Sequence, residues 1–217
     1  MLGKPYKTRG SKMVIHNILD NVFATWSNIA VLRVLKEVKI GLSGREIAKQ
    51  AGISAPTSLD ALSSLENLNI VSRQRGGREH FFYLNREHYI VKKIIIPMLN
   101  AEKKFAEYIF ADIKKGLGEY ASSVILFGSS AREEEKIESD LDICVVFRNL
   151  SVKRKLEKII TGLSFSIHKK YGVSLAPFYI SEIDFAKRAK SKKTPVIDII
   201  KEGKLLSGKT IKKLLND

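Results

Sequence analysis

Apolar residues fall at helical spacing over residues 25–37, where Trp26, Ile29, Ala30, Leu32 and Leu35 predict an amphipathic helix with one buried stripe. A shorter amphipathic stretch is predicted over 13–23. The run Ser43-Gly44-Arg45-Glu46 has the form of a capping box, in which the serine oxygen accepts from one orphan N–H and the glutamate reaches back to another. The helix it opens should run through Ala51 and close at Gly52 in a left-handed cap. Another helix starts near Ser54, with Pro56 tolerated in its first turn and Leu59, Leu62, Leu65 and Leu68 as its buried stripe. The period then changes from helical to alternating. Residues 71–75 and 79–84 flank Gly76-Gly77, which predicts a hairpin.

A long helical pattern follows over 89–116, interrupted by Pro97, which should kink or split it. Its apolar face (Ile94, Ile95, Met98, Phe105, Tyr108, Ile109) exceeds what a simple linker needs. Either it packs on the elements before it or it pairs two chains as a homodimer. From Ser122 the pattern becomes strand-like through Phe127, and again over 140–147. An amphipathic helix carries Val152, Leu156, Ile159, Ile160, Leu163 and Ile167, and a further strand is predicted over 173–180. Ser181 to Asp184 reads as a second capping box.

Chemistry concentrates between the first two of these strands. Residues two apart in a strand project to one face, so Asp140 and Asp142 point together while Leu141 and Ile143 turn into the core. Two adjacent carboxylates repel unless a cation lies between them, which makes the pair a natural Mg²⁺ seat. Ahead of it, Gly128 lets a backbone approach a phosphate closely. The N–H groups of Ser129 and Ser130 lie at an expected helix start, where the dipole favours anions. A phosphate cradle beside a metal seat describes a site for a nucleoside triphosphate with its cation.

Composition narrows the setting. The 217 residues allow one large or two small domains, and 44% hydrophobic with 28% charged residues is enough to build a core. A net charge of +15 favours a polyanionic partner, nucleic acid or a phosphate-rich ligand, although a lysine-rich solvating surface accounts for the same excess. The single cysteine, Cys144, excludes an intrachain disulfide framework and a cysteine-rich zinc site. No apolar run approaches the roughly 20 residues of a membrane span. The basic N-terminus has no apolar stretch behind it, so the expectation is a cytoplasmic protein without a secretory signal.

Helix, short helix, helix and hairpin, in that order over residues 25–85, resemble the winged helix-turn-helix regulators of the ArsR/MarR type. The resemblance implies a third helix in the major groove of double-stranded DNA and a wing on the backbone. It places Pro56, Thr57, Ser58 and Asp60 against base edges, and Arg73, Arg75 and Arg78 near phosphates. Residues 1–11, with Lys4, Lys7 and Arg9, read as a flexible basic tail. The implied recognition helix carries Asp60 and Glu66 and no Lys or Arg.

Phe127-Gly128-Ser129 followed by Asp140-Leu141-Asp142 resembles the signature of the DNA polymerase β-like nucleotidyltransferases, and Ala131-Arg132 and Ser139 strengthen the likeness to the minimal enzymes of prokaryotes. The resemblance covers residues 118–206. It implies that Asp140 and Asp142 are catalytic and bind Mg²⁺ (or Mn²⁺) on the NTP, that Gly128, Ser129 and Ser130 hold phosphates, and that Arg132 either neutralises phosphate or pairs structurally with the acidic loop at 133–135. It also implies transfer of a nucleoside monophosphate to a hydroxyl on a protein, a small molecule or a nucleic acid end. The chain departs from the family in one respect. A third carboxylate belongs on the next strand, and no Asp or Glu other than Glu182 and Asp184 follows Glu157 until Asp198; Ser174 or Ala176 occupies the expected place.

Gly203 to Thr210 matches the Walker A pattern literally, but 195–200 reads as a helix closed by Gly203 rather than the buried strand a P-loop needs, so no P-loop is expected. The four histidines have no ligand spacing. The fold expected is α+β: a basic tail (1–11), a winged helix-turn-helix (12–88), a helical linker (89–117) and a nucleotidyltransferase fold (118–217) with a small mixed sheet flanked by helices. Two functions fit, an Mg²⁺-dependent nucleotidyltransferase carrying a DNA-binding domain and a catalytically impaired, nucleotide-sensing transcriptional regulator.

Overall fold

A computed structural model describes residues 14–77 and 79–216 and divides the chain into two units, Met1–Lys103 and Lys104–Asp217. The basic tail at 1–11 and the wing residue Arg78 lie outside the described residues.

The first unit begins with α1 (Ile18–Val22) and α2 (Trp26–Glu37). Thr25 caps α2, its side chain accepting from the Asn28 N–H. A two-residue strand β1 (Leu42–Ser43) leads into α3 (Gly44–Ala51), which opens on the complete capping box of Ser43 and Glu46 and closes at Gly52 with φ 66°. Then come α4 (Ala55–Asn67), capped by Ser54, and the hairpin of β2 (Val71–Gly76) and β3 (Glu79–Leu84). The strands form an antiparallel sheet in the order β1-β3-β2, which completes the winged-helix arrangement. Leu32, Leu35, Ile47, Leu62, Leu65 and Ile70 fill its core.

Two residues assigned to buried stripes face solvent instead. Trp26 is 68% exposed and Leu59 51%. The buried line of α4 is Ser58, Ala61, Leu62 and Leu65, so Leu59 sits about 100° round the helix from it.

The stretch read as a linker is continuously helical. A π-turn at Val91–Ile95 passes into α5 (Ile96–Leu117). The break expected at Pro97 takes this form: the Ile96 N–H bonds Val91 O five residues back, directly before a residue that has no N–H to offer. The division between units falls inside α5. Val91, Ile95 and Leu99 join the first core, and Ile109, Ile113 and Leu117 the second. Phe105 and Tyr108, assigned to the apolar face, remain exposed.

The second unit continues through β4 (Ser123–Leu126), α6 (Ser129–Arg132), β5 (Leu141–Phe147), α7 (Leu150–Tyr171), β6 (Leu175–Ser181), α8 (Glu182–Lys190), α9 (Val196–Glu202), β7 (Lys204–Gly208) and α10 (Ile211–Asn216). Its sheet runs β6-β5-β4-β7, with β5 parallel to β6 and the other pairs antiparallel. This is the small mixed sheet expected of an α+β fold. Alternate residues of β5 serve two cores. Leu141, Ile143 and Val145 pack with α5 and α7, while Cys144 and Val146 lie beneath Phe185, Val196, Ile199 and Leu214 of α8, α9 and α10. The Walker-like segment contains β7, an edge strand on β4, and the strand-loop-helix context of a P-loop is absent there. Among the described residues no helix is long and apolar enough to cross a membrane.

Candidate functional site

The chain leaves β4 beside the second carboxylate, because the Phe127 N–H donates to Asp142 O at 3.1 Å. Gly128 then adopts φ 72° and ψ −154°, a region essentially reserved for glycine. A Cβ on Gly128 would run into Asp142 Oδ2, so the turn is packed on the carboxylate itself. Ser129 and Ser130 begin α6, a single turn whose backbone starts with Gly128 O accepting from the Ala131 N–H.

Asp140 precedes β5 and is exposed; Asp142 is its second residue and half-buried. Burial, and secondly the neighbouring Asp140 charge, push the Asp142 carboxyl above its ordinary range. Asp140 stands just ahead of the strand, near enough for its charge to oppose that of Asp142. Register fixes what lies next to it: Asp142 is opposite Ala176 on β6. No carboxylate stands there. Glu182 lies past Ser181, which pairs with Phe147, so it is displaced from the Asp142 row by at least roughly 16 Å of strand. Its carboxylate bonds Lys209 at 2.8 Å, and the Asp184 N–H and carboxylate are both engaged by Ser181 Oγ at the start of α8.

Arg132 does not stand ready for a phosphate. Its guanidinium is held by Glu134 at 2.8 Å and by Glu202 at 2.5 Å, so the structure gives it the pairing role. Glu133 of the same acidic run bonds Lys204 at 2.9 Å. Reading the sequence missed three residues on this side of the sheet. Phe178 pairs with Cys144 one row along from Asp142, and its ring meets that of Phe127 edge-on at 6.5 Å. The Arg188 guanidinium lies 5.9 Å from the Phe178 centroid. Nothing local in the sequence marks Phe178, Arg188 or Glu202, since each reaches the site through tertiary packing.

Among the described residues no group of three His, Cys, Asp or Glu could hold a metal ion by itself. Two carboxylates do suit a cation that arrives on a triphosphate, because Mg²⁺ commonly takes one or two carboxylates and completes its shell with phosphate oxygens and water. Cys144 is fully buried, and burial pushes its thiol up to about 12.

Residues 110–206 match the family described as the nucleotidyltransferase domain. The match lies within the second unit. That match takes in the Gly128 turn, both aspartates, α7 and β6, and it ends within β7. No match is found among curated proteins. Solved structures similar to the chain include the PcaV transcriptional regulator of Streptomyces coelicolor (21% identity, 48% of this chain and 84% of that one, TM-score 0.31). Others are ZitR of Lactococcus lactis (14%, 72% and 99%, 0.31) and the archaeal chromatin protein TrmBL2 (20%, 86% and 76%, 0.28). Likenesses this loose carry no argument, and the winged helix of the first unit rests on its own topology.

In that first unit the residues assigned to base edges separate. Pro56 and Asp60 are exposed and Thr57 is half-buried. Ser58 is fully buried and donates to Gly44 O at 3.2 Å, so it tethers α4 to α3 and cannot reach a base. Arg73 and Arg75 are exposed on the wing, with Arg73 paired to Glu66 of α4 at 3.1 Å. A groove of ≈ 520 Å³ lies between the helix starts and the wing, and Arg45, Pro56, Leu59, Arg73 and His80 line it. Arg45, in the first turn of α3, is exposed toward it.

Proposed function

We propose that the nucleotidyltransferase domain transfers a nucleoside monophosphate from an NTP to a hydroxyl acceptor, in a protein whose winged helix binds double-stranded DNA. The observation that carries the first part is the packing of the Gly128 turn on Asp142, whose carboxylate has the Asp140 charge beside it. Asp140 and Asp142 would hold Mg²⁺ or Mn²⁺, which supplies positive charge to the triphosphate when bound. The Ser129 and Ser130 N–H groups donate to phosphate oxygens, and Gly128, lacking a side chain, lets them come close. The acceptor oxygen forms a bond to the α-phosphorus. The bond from that phosphorus to the bridging oxygen breaks, pyrophosphate leaves, and the hydroxyl proton passes to water.

A second reading is favoured by Ala176 opposite Asp142. With two carboxylates rather than three, nucleotide binding survives more readily than transfer, and the protein becomes a nucleotide-sensing transcriptional regulator. Incubation with each α-labelled NTP and Mg²⁺ or Mn²⁺ separates the two. Labelled product and pyrophosphate, both lost in Asp140→Ala and Asp142→Ala, support transfer. No turnover with either metal, with DNA affinity that responds to nucleotide, supports the regulator.

The DNA-binding part rests on Arg73, which lines the groove, and on Arg75, exposed on the same strand of the wing. Replacing both with Ala should flatten the salt dependence of duplex affinity by roughly one unit of slope for each phosphate no longer neutralised. Exposed Phe105 and Tyr108 on α5 support pairing of two copies, which sedimentation of the full chain checks.

A further inference from the structure

The second unit holds a cavity of ≈ 340 Å³ on the sheet face opposite Asp142. Ile109, Leu126 and Leu141, all buried, form its floor. Leu141 and Asp142 are successive residues of β5, so the strand period sends them to opposite faces. The cavity is therefore separate from the carboxylate pair, although one strand serves both. Phe105 of α5 also lines it, its ring set edge-on to Tyr171 at 5.7 Å. So does Ile137, which is fully exposed. The turn that carries Ile137 is closed by two bonds, the Lys136 N–H donating to Ser139 Oγ and the Ser139 N–H to Lys136 O, both at 2.9 Å. Exposed apolar side chains gathered at a concave, carbon-lined site mark a place where an apolar body binds.

Charge says what kind of body. Two carboxylates line the cavity, and Glu133 is engaged by Lys204 at 2.9 Å. Glu135 has no cation partner among the described residues. Lys136 is the other unpaired charge of the lining, but it stands between Glu135 and Glu138, and residues 132–142 carry six carboxylates against two cations. In a chain of net charge +15 this corner is anionic, so it attracts a cation. We propose that the cavity binds a small organic molecule with an apolar body and one cationic amine, the body resting on Ile109, Leu126 and Leu141 and the amine at Glu135. Its volume lies at the lower end of the range for ligand sites, about 300–1,000 Å³. Water there meets mostly carbon, and its release to an entering apolar body is favourable. Because the floor is buried, a narrow free molecule reaches it where a protein surface does not. Binding at this place requires neither nucleotide nor metal, and it stands apart from the transferase reading.

The full chain in metal-free buffer is titrated with 4-phenylbutylamine, 4-phenylbutanol and 4-phenylbutyrate, which share one body and differ in charge. Amide NMR shifts are followed at residues 105–110 and 135–141, which line the cavity or adjoin its lining. The amine should bind one-to-one, with shifts centred on these segments, about two- to fivefold tighter than the alcohol, as one exposed ion pair allows, and the acid should be weakest. Glu135→Gln should bring amine and alcohol level. Ala106→Trp, at an exposed position of α5 that lines the cavity, should abolish binding of both by filling it, with circular dichroism unchanged. Asp142→Asn should leave amine binding as in the parent. Absence of saturable shifts with the amine, or an amine no tighter than the alcohol, would overturn the site. So would amine binding that survives Ala106→Trp and disappears in Asp142→Asn, since the amine would then sit at the carboxylate pair instead.

Discussion

Asp142 Oδ2 occupies the space that a side chain on Gly128 would need. The turn that would cradle phosphate and the carboxylate that would hold its cation are therefore packed together with no room for a side chain between them. Gly128→Ala should cost about 1–3 kcal/mol, since the residue sits at φ 72° in a region closed to other residues. Urea unfolding measures this. A variant as stable as the parent would mean that the turn can relax away from Asp142.

The pair of carboxylates should lower stability in the absence of nucleotide. Asp142 is half-buried, its charge opposed by burial and by Asp140. Asp142→Asn keeps the shape and removes the repulsion, so the nucleotide-free variant should melt at the same temperature as the parent or higher. Thermal unfolding at pH 7 in metal-free buffer checks it, and a clear loss of stability would show that the charge has a favourable partner.

Cys144 should resist thiol reagents in the folded protein. It is fully buried on β5, and its thiol is pushed up to about 12, so little thiolate forms and none is reached. Labelling at pH 8 should proceed at the rate of global unfolding and become immediate in denaturant. Rapid labelling without denaturant would show that the sheet opens locally.

Acid sensitivity should include a contribution from the contact of α5 with the end of α7. Lys170 and the Tyr171 hydroxyl donate to Asp112 at 2.7 and 2.8 Å and hold its carboxyl below the usual range. A carboxyl depressed in the folded state stabilises the protein above its unfolded value near 4, and that stabilisation is lost as pH falls through the folded value. Asp112→Asn should melt lower than the parent at pH 7, and the difference should shrink to nothing as pH falls through the depressed folded value of Asp112. A difference that persists there would assign it to packing rather than charge.

Local signals were readable and distant ones were not. The capping box at Ser43, the left-handed Gly52 and the hairpin at Gly76-Gly77 each depend on neighbours in sequence, and each stands where the pattern put it. Leu59 and Trp26 did not, because a stripe read from leucines alone ignores that Ser58 and Ala61 pack more closely against neighbouring helices. Two-residue β1 is too short to carry a period, and β7 was hidden by a motif of another fold. For Arg132 the sequence leaves phosphate and the acidic loop as alternatives; Glu134 is within local reach, but Glu202 is seventy residues away. Arg188 and Phe178 lie beyond any local reading for the same reason.

Calorimetric titration of a non-hydrolysable NTP into the full chain, with and without Mg²⁺, tests the account at its centre, since transfer and sensing both need the nucleotide seated at the carboxylate pair. Binding that requires the cation and disappears in Asp142→Asn, while the variant stays folded, is the result expected. Equal affinity with and without metal, or in parent and variant alike, would contradict it.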